Sequence, residues 1–264
     1  MHTTLLTRHA LTTIRRITGR ELRTRVAGTV LGVFHYVLTP LFFLGVYSVV
    51  FSSVFTTRWP GASDVFGQFA LNLYAGLIPF HFVAEVLNRS SGLVLENPSY
   101  VKKVVFPLEI LGPAVMGTAL TCGLIGYGIF LAGYLLMLGL PPPASLALLV
   151  LWPPLLLGVA GLSWLLSAFG VFLRDLAQVV TAVVPALMFV TPIFYPLEMV
   201  PASIRPILQG NPMTYFIEAM RAALFQGVWP DPLGLAVAWA IGAGLALFGL
   251  HVFLRLKPAF ADVV

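Results

Sequence analysis

Charge is what this sequence has least of. Only 9% of its 264 residues are Asp, Glu, Lys or Arg, against 59% hydrophobic ones; a soluble domain carries about 25% charged and about 45–50% apolar residues. With a mean hydropathy of +0.95, that scarcity excludes an ordinary water-soluble domain and points to an integral membrane protein. No polar stretch is long enough to fold alone, so a single membrane domain over residues 1–264 is expected. One cysteine, Cys122, excludes an intrachain disulfide and a cysteine metal cluster, and its place in an apolar run reads as a small packing residue. Lysine occurs only as Lys102, Lys103 and Lys257, never after a glycine. The Gly-Lys-Ser/Thr turn that cradles phosphates in a Walker A loop is therefore missing, and the chain cannot hydrolyse ATP with that machinery.

Carboxylates are missing from the centres of the apolar runs. Glu85 and Glu109 lie near run ends and Glu218 in a broken segment, whereas an ion-coupled carrier needs ionisable groups at mid-membrane. The halves of the chain also differ in loop length, against an inverted repeat; a secondary transporter is disfavoured on both counts. His35 and His81 are the mid-run titratable residues and read as packing or pore-facing groups rather than a proton relay. His81 and Glu85 share a helix face, the best pair here for acid/base catalysis, but one pair near a helix end is more simply an interhelical hydrogen bond. No His/Asp/Glu set has metal-ligand spacing, so no metal is expected. The basic residues form no patch interleaved with aromatics, so nucleic acid is not an expected partner. The amino terminus lacks the short apolar core and cleavage site of a signal peptide, because Arg8, Arg15, Arg16, Arg20, Arg23 and Arg25 occupy that region.

What is present is a series of apolar runs, at 29–51, 66–87, 108–138, 144–172, 177–195 and 233–254, most of them long enough to cross a hydrocarbon core of roughly 30 Å as helices. Pro40 should kink the first, Pro141-Pro142-Pro143 ends the third, the fourth stops at Arg174-Asp175, and the fifth contains Pro185 and Pro192. Residues 4–26 alternate apolar and basic positions at helical spacing, with Leu6, Ala10, Ile14 and Ile17 on one face and Gly19 as a break, which predicts an amphipathic helix at a membrane surface. Between the second and third runs, Glu96 to Glu109 is polar, cationic and fenced by Pro98 and Pro107; it predicts a brief helix outside the membrane. Residues 196–232 are too interrupted for a span. Within them, Asn211 as N-cap and Pro212 at the first position predict a short helix to about Gln226, with Met213, Phe216, Ile217, Met220 and Leu224 on one face. A helix of that length dips into the membrane and returns. Lys and Arg total 12 over the amino terminus, residues 88–107, the 174 turn and the carboxyl end, against three in the alternate connections. The positive-inside rule then puts both termini and the 96–109 stretch in the cytoplasm.

Five pieces in one order resemble the membrane subunit of type 2 ABC exporters that move lipid-linked polysaccharides. They are Glu21-Leu22-Arg23-Thr24-Arg25 followed by Gly28-Thr29-Val30-Leu31-Gly32; Asn97 with Val101-Lys102-Lys103 and Phe106-Pro107-Leu108-Glu109; Phe172-Leu173-Arg174-Asp175-Leu176; Thr191-Pro192-Ile193-Phe194-Tyr195; and Asn211-Pro212-Met213 with Glu218 and Arg221. The resemblance implies an all-α membrane protein with six transmembrane helices, an N-terminal amphipathic interface helix over 1–27, spans one to five over 29–195, a re-entrant external segment over 196–232, and span six with a cytoplasmic tail over 233–264. It implies a homodimer working with two copies of a separate ATPase subunit that binds the ATP and Mg, so this chain is not itself an enzyme and binds no cofactor. Asn97, Pro98, Ser99, Tyr100, Val101, Lys102, Lys103 and Phe106 would form a coupling helix docking on that ATPase, with Arg174 and Asp175 at a second contact. A sugar polymer needs flat apolar faces to slide on; Phe34, Phe42, Tyr47 and Tyr195, on the first and fifth spans, are the candidates for its path. O-antigen is the favoured cargo on the Val-Lys-Lys and Phe-Pro-Leu-Glu pieces. Capsule or teichoic acid export, an ABC-2 type drug or lipid exporter, and an ion-coupled carrier are the alternatives.

Overall fold

The computed structural model describes residues 8–27, 68–101 and 106–263, together with positions 38, 42, 45, 46 and 49. Among them all regular structure is helical and no strand occurs. In chain order, α1 is Arg8–Ala27, α2 Gln68–Ser90 and α3 Pro98–Val101; α4, Leu111–Leu138, continues from a tighter turn at Leu108–Ile110. A turn at Pro143–Ala147 leads into α5, Leu148–Phe172, and then come α6, Leu176–Val190, and α7, Arg205–Gln209. The helix α8, Pro212–Arg221, widens into a π turn at Ala222–Gln226, and α9, Pro232–Leu256, is followed by α10, Phe260–Val263. Four stretches are long and apolar enough to cross a membrane: Gln68–Ser90, Leu108–Leu138, Pro143–Phe172 and Pro232–Val263. They coincide with the second, third, fourth and sixth apolar runs. The first run, its Pro40 included, lies outside the described residues apart from five positions.

Two expectations need correction. No break occurs at Gly19: α1 runs through it unbroken. A helical glycine costs about 1 kcal/mol relative to alanine, and contacts on either side offset it, since Thr18 donates to the Ala114 carbonyl (3.1 Å) and Glu21 accepts from Thr118 (3.0 Å). The fifth run does not continue to 195, because α6 ends at Val190. Pro192 has no N–H to give the carbonyl four residues back, and it pushes the residue before it out of the helical region; Thr191 is extended at φ −106°, ψ 134°. The 15 residues left rise about 22 Å, short of a full crossing.

The helix α2 is the axis of the bundle. Its inner residues, from Leu71 to Val86, are almost all buried, and they form one apolar core with parts of α4, α5, α6, α8 and the π turn. A second core closes the far end of α2, where Leu93, Val94, Leu108, Trp164, Phe253 and Phe260 meet. Buried hydroxyls tie that end together. Ser90 and Ser163 share a hydrogen bond of 2.7 Å, and Ser167 donates to the Ser90 carbonyl (3.0 Å).

The most extensive helix contact, α5 with α9, depends on side chains too small to keep the backbones apart. A methyl group added at Gly161 would overlap the Leu245 carbonyl, one at Gly242 the Pro154 carbonyl, and one at Gly249 the carbonyl of Gly161 itself. Lipid tails are as apolar as any side chain, so helices in a membrane gain by close van der Waals contact, which small residues permit. Gly161→Ala should therefore destabilise the purified protein by about 1–3 kcal/mol. Gly128→Ala, in α4 with nothing within 4 Å of the added carbon, should be neutral or mildly stabilising. Thermal unfolding of the two variants side by side checks this, and equal midpoints would refute the seam.

Candidate functional site: a basic junction and a buried arginine clamp

Functional side chains gather at two places along α2. The first is its carboxyl end, where α1 and α3 meet the start of α4. Pro98 opens α3, as its fixed φ and missing N–H favour. Ahead of it the Asn97 amide donates to the Leu93 carbonyl (2.9 Å), and the Tyr100 N–H to the Asn97 carbonyl (3.0 Å). The Tyr100 ring stacks on Phe106 with centroids 4.4 Å apart. Arg20 of α1 donates to the Tyr100 hydroxyl (2.9 Å). A cavity of about 230 Å³ between α1 and this stretch is lined by Arg20, Glu21, Arg89, Asn97 and Tyr100, among others.

Beside it runs a chain of ion pairs. Glu85 holds Arg25 (2.7 Å), Arg89 pairs with Glu21, and Glu21 lies 3.9 Å from Arg25. The acid/base pair considered for His81 and Glu85 is thereby accounted for: Glu85 belongs to the arginines, and His81 is exposed. Glu109, almost fully buried, pairs with Lys257 (2.7 Å), and its carbonyl accepts from the Trp164 indole (2.9 Å). The turn carrying Arg174 and Asp175 lies at this same end, where Gly170 lets the Ser91 carbonyl approach and Phe172 meets Phe260. Both residues are exposed, and Asp175 precedes α6 without a side-chain cap. Pro98, Ser99, Tyr100 and Val101 make up α3, so the structure brings six of the predicted coupling residues and Arg174-Asp175 to one end. Lys102 and Lys103 lie outside the described residues. What the sequence reading missed here is Arg20 as the partner of Tyr100; a basic residue on an amphipathic helix carries no mark of which aromatic it will meet.

The second place lies about 25 Å away along α2. There Arg221, at the end of α8, is only 2% exposed and spends its guanidinium on backbone oxygens: Asn72 in α2 (2.9 Å), Pro192 (2.6 Å) and Ile193 (2.8 Å) after α6, plus the Glu218 carboxylate (3.2 Å). Gly76 makes room, since a methyl there would sit 2.7 Å from the guanidinium. The α6 terminus is closed by the same neighbourhood. Thr191 donates to the Leu187 carbonyl (2.7 Å) and Tyr195 to that of Phe189 (2.7 Å), while the Asn211 side chain reaches Thr191 (2.9 Å) and caps α8 at the Met213 N–H (3.0 Å). Asn211, Pro212, Glu218 and Arg221 thus all take part in, or position, one clamp on the Thr191-Pro192-Ile193 break. Phe216, Ile217, Met220 and Leu224 are buried as their spacing predicts, and Met213 partly so. Of the aromatics assigned to a substrate path, Phe42 is 68% exposed and Tyr195 half-buried, its ring two residues beyond Ile193; Phe34 and Tyr47 lie outside the described residues.

The clamp needs a fork of donors in fixed geometry, which arginine supplies and lysine does not. Arg221→Lys should cost about 2–3 kcal/mol, and Arg221→Met, which leaves Glu218 and the carbonyls unpartnered, about 3–5 kcal/mol. The midpoint of heat-induced loss of the monodisperse peak reads this out, and a lysine variant as stable as the parent would remove the clamp from the account.

Comparison with known proteins bears on both places. Residues 12–225 match the family described as ABC-2 type transporter, which spans the α1 to π-turn region holding both clusters. The chain is 26% identical over 257 residues to the O-antigen export system permease protein RfbA of Klebsiella pneumoniae, covering 94% of this chain and 93% of that protein. It is 24% identical over 260 residues to the protein of the same name from Myxococcus xanthus, covering 93% and 92%. Against the polysialic acid transport protein KpsM of Escherichia coli it is 26% identical over 251 residues, covering 89% and 92%. With its several membrane-crossing helices, the chain belongs to the ABC-2 type transporter family and is a multi-pass membrane protein of that family.

Proposed function

We propose that this chain is the transmembrane subunit of an ABC transporter that exports lipid-linked polysaccharide, O-antigen foremost, across the bacterial inner membrane. The observation that carries the reading is similarity along nearly the whole chain to export permeases of that description, 94% of this chain and 93% of the relative in one case. Capsule export is the second reading, supported by a match of almost the same extent to the polysialic acid transport protein KpsM. Energy comes from a separate ATPase subunit, two copies to a homodimer of this chain, since the sequence carries no phosphate loop of its own. The basic junction lies in the cytoplasm with both termini, and Asn97 to Phe106, with Arg174 and Asp175, docks on the ATPase.

Six spans follow if residues 29–51 form the first and α6 with the clamped segment the fifth; α7 and α8 then make the re-entrant helices before the sixth. The helix α6 supports the homodimer: only Val180 and Val184 of its apolar length are buried, while Val179, Val183, Leu187, Phe189 and Val190 stay exposed. That face awaits the first span and a second copy. The glycan passes between them along Phe34, Phe42, Tyr47 and Tyr195. Closure of the ATPase pushes the junction, and the rigid α2 carries the displacement to the clamp that fixes where α6 ends.

Lys102→Glu with Lys103→Glu reverses the charge of the docking stretch without touching a span. The pair should lower co-purification of the ATPase subunit at least about tenfold, since unfavourable like-charge placement at an interface costs several kcal/mol, with the permease still inserted and monodisperse. Normal retention of the ATPase with normal export would remove the docking assignment.

A further inference from the structure

Opposite the junction cavity, α4, α5 and α9 leave an apolar groove of about 570 Å³, open along its side. Pro113, Gly117 and Leu120 line it from α4, Pro153 and Leu157 from α5, and Trp239 from α9. Its walls belong to three membrane-crossing stretches, so it faces hydrocarbon rather than water. The helix α1 packs along the same stretch of α4. Arg25 lies beside Cys122, Glu21 bonds Thr118, and Thr18 bonds the carbonyl of Ala114 and abuts Gly117 in the groove wall. The two helices therefore run parallel, with a nearly constant offset between the residues that meet. That register sets Arg15 level with Leu111 to Pro113, where the groove begins.

Five arginines of α1 divide into two sets. Arg20 and Arg25 are engaged by Tyr100 and Glu85. Arg15, Arg16 and Arg23 are exposed and make no ion pair among the described residues. Leu11, 59% exposed on the same stripe as Thr18, extends the apolar wall between them. A helix with this division lies at the headgroup level with its cations among lipid phosphates.

We infer that the groove and the α1 arginines together form a binding site for one anionic phospholipid. An acyl chain lies along Leu120, Leu157 and Trp239, and the phosphate sits against Arg15 and Arg16. Charge complementarity selects the occupant: a zwitterionic lipid satisfies the groove equally well but gains nothing net at the two cations. The site is separate from the ATPase-docking stretch and from the glycan path, so it stands whatever the cargo proves to be.

Trp239 provides the readout. The full-length chain is reconstituted in phosphatidylcholine vesicles containing increasing fractions of phosphatidylglycerol or phosphatidylcholine brominated on the acyl chain, and tryptophan quenching is measured in the parent and in Trp239→Phe. The difference between the two proteins should reach half its maximum at an about fivefold lower fraction of the brominated anionic lipid. That preference should disappear in Arg15→Gln/Arg16→Gln and shrink in high salt. Equal quenching by both lipids would show a shared lipid annulus and overturn the site. No Trp239 quenching would mean that protein, residues 28–67 or a second copy, fills the groove, and would overturn it too. So would a preference that survives in the double variant, or displacement of the brominated phosphatidylglycerol by an equimolar polyprenyl diphosphate, which would assign the groove to a carrier lipid.

Discussion

A peptide group that loses its helical partner inside a membrane has no water to turn to, and each one left bare costs several kcal/mol. The placement of polar side chains in this protein follows from that constraint. At the Pro192 break, Thr191, Tyr195 and Arg221 supply the missing donors, and Asn211 donates to the Thr191 hydroxyl. Where the π turn loosens the chain after α8, the Tyr134 hydroxyl reaches the Leu224 carbonyl at 2.6 Å. At the start of α4 the Trp164 indole meets the Glu109 carbonyl, and at the end of α2 Ser167 meets that of Ser90. Outside α1, the few charges among the described residues stand at helix breaks and helix ends.

That economy also connects the two clusters. The helix α2 is held at one end by serines, ion pairs and the stacked Tyr100 and Phe106 rings beyond it, and near the other by Arg221 on its Asn72 carbonyl. Between them it is buried nearly all round. A displacement applied at the basic junction has a stiff, well-packed path to the point where α6 stops. The glycine seam of α5 and α9 stands behind it as a fixed wall.

How much of this was legible in the sequence depended on whether the deciding physics was local. The span ends at Leu138 and Phe172 and the Asn211-Pro212 helix start were readable, because a proline cluster, a charged turn and a cap act within a few residues. The α6 terminus falls five residues before the end of the fifth apolar run, because hydropathy continues through Pro192 while the helix does not; the side chain that closes the break, Arg221, lies 29 residues away. Glu218 and Arg221 could be picked out from the resemblance, yet their role as a clamp on three carbonyls is a tertiary fact. Gly19 was read as a break since its propensity is poor, and tertiary bonds at Thr18 and Glu21 override it. The Glu85–Arg25 and Glu109–Lys257 pairs join residues 60 and 148 positions apart, and no local pattern announces them.

The account as a whole rests on an exporter whose energy enters through a partner. Proteoliposomes containing this chain and the ATPase subunit, loaded on the ATPase side with lipid-linked O-antigen precursor, measure it most directly. The account predicts ATP-dependent appearance of glycan on the opposite face, and none when the ATPase subunit or ATP is omitted. Glycan transfer by this chain alone under an ion gradient would contradict it.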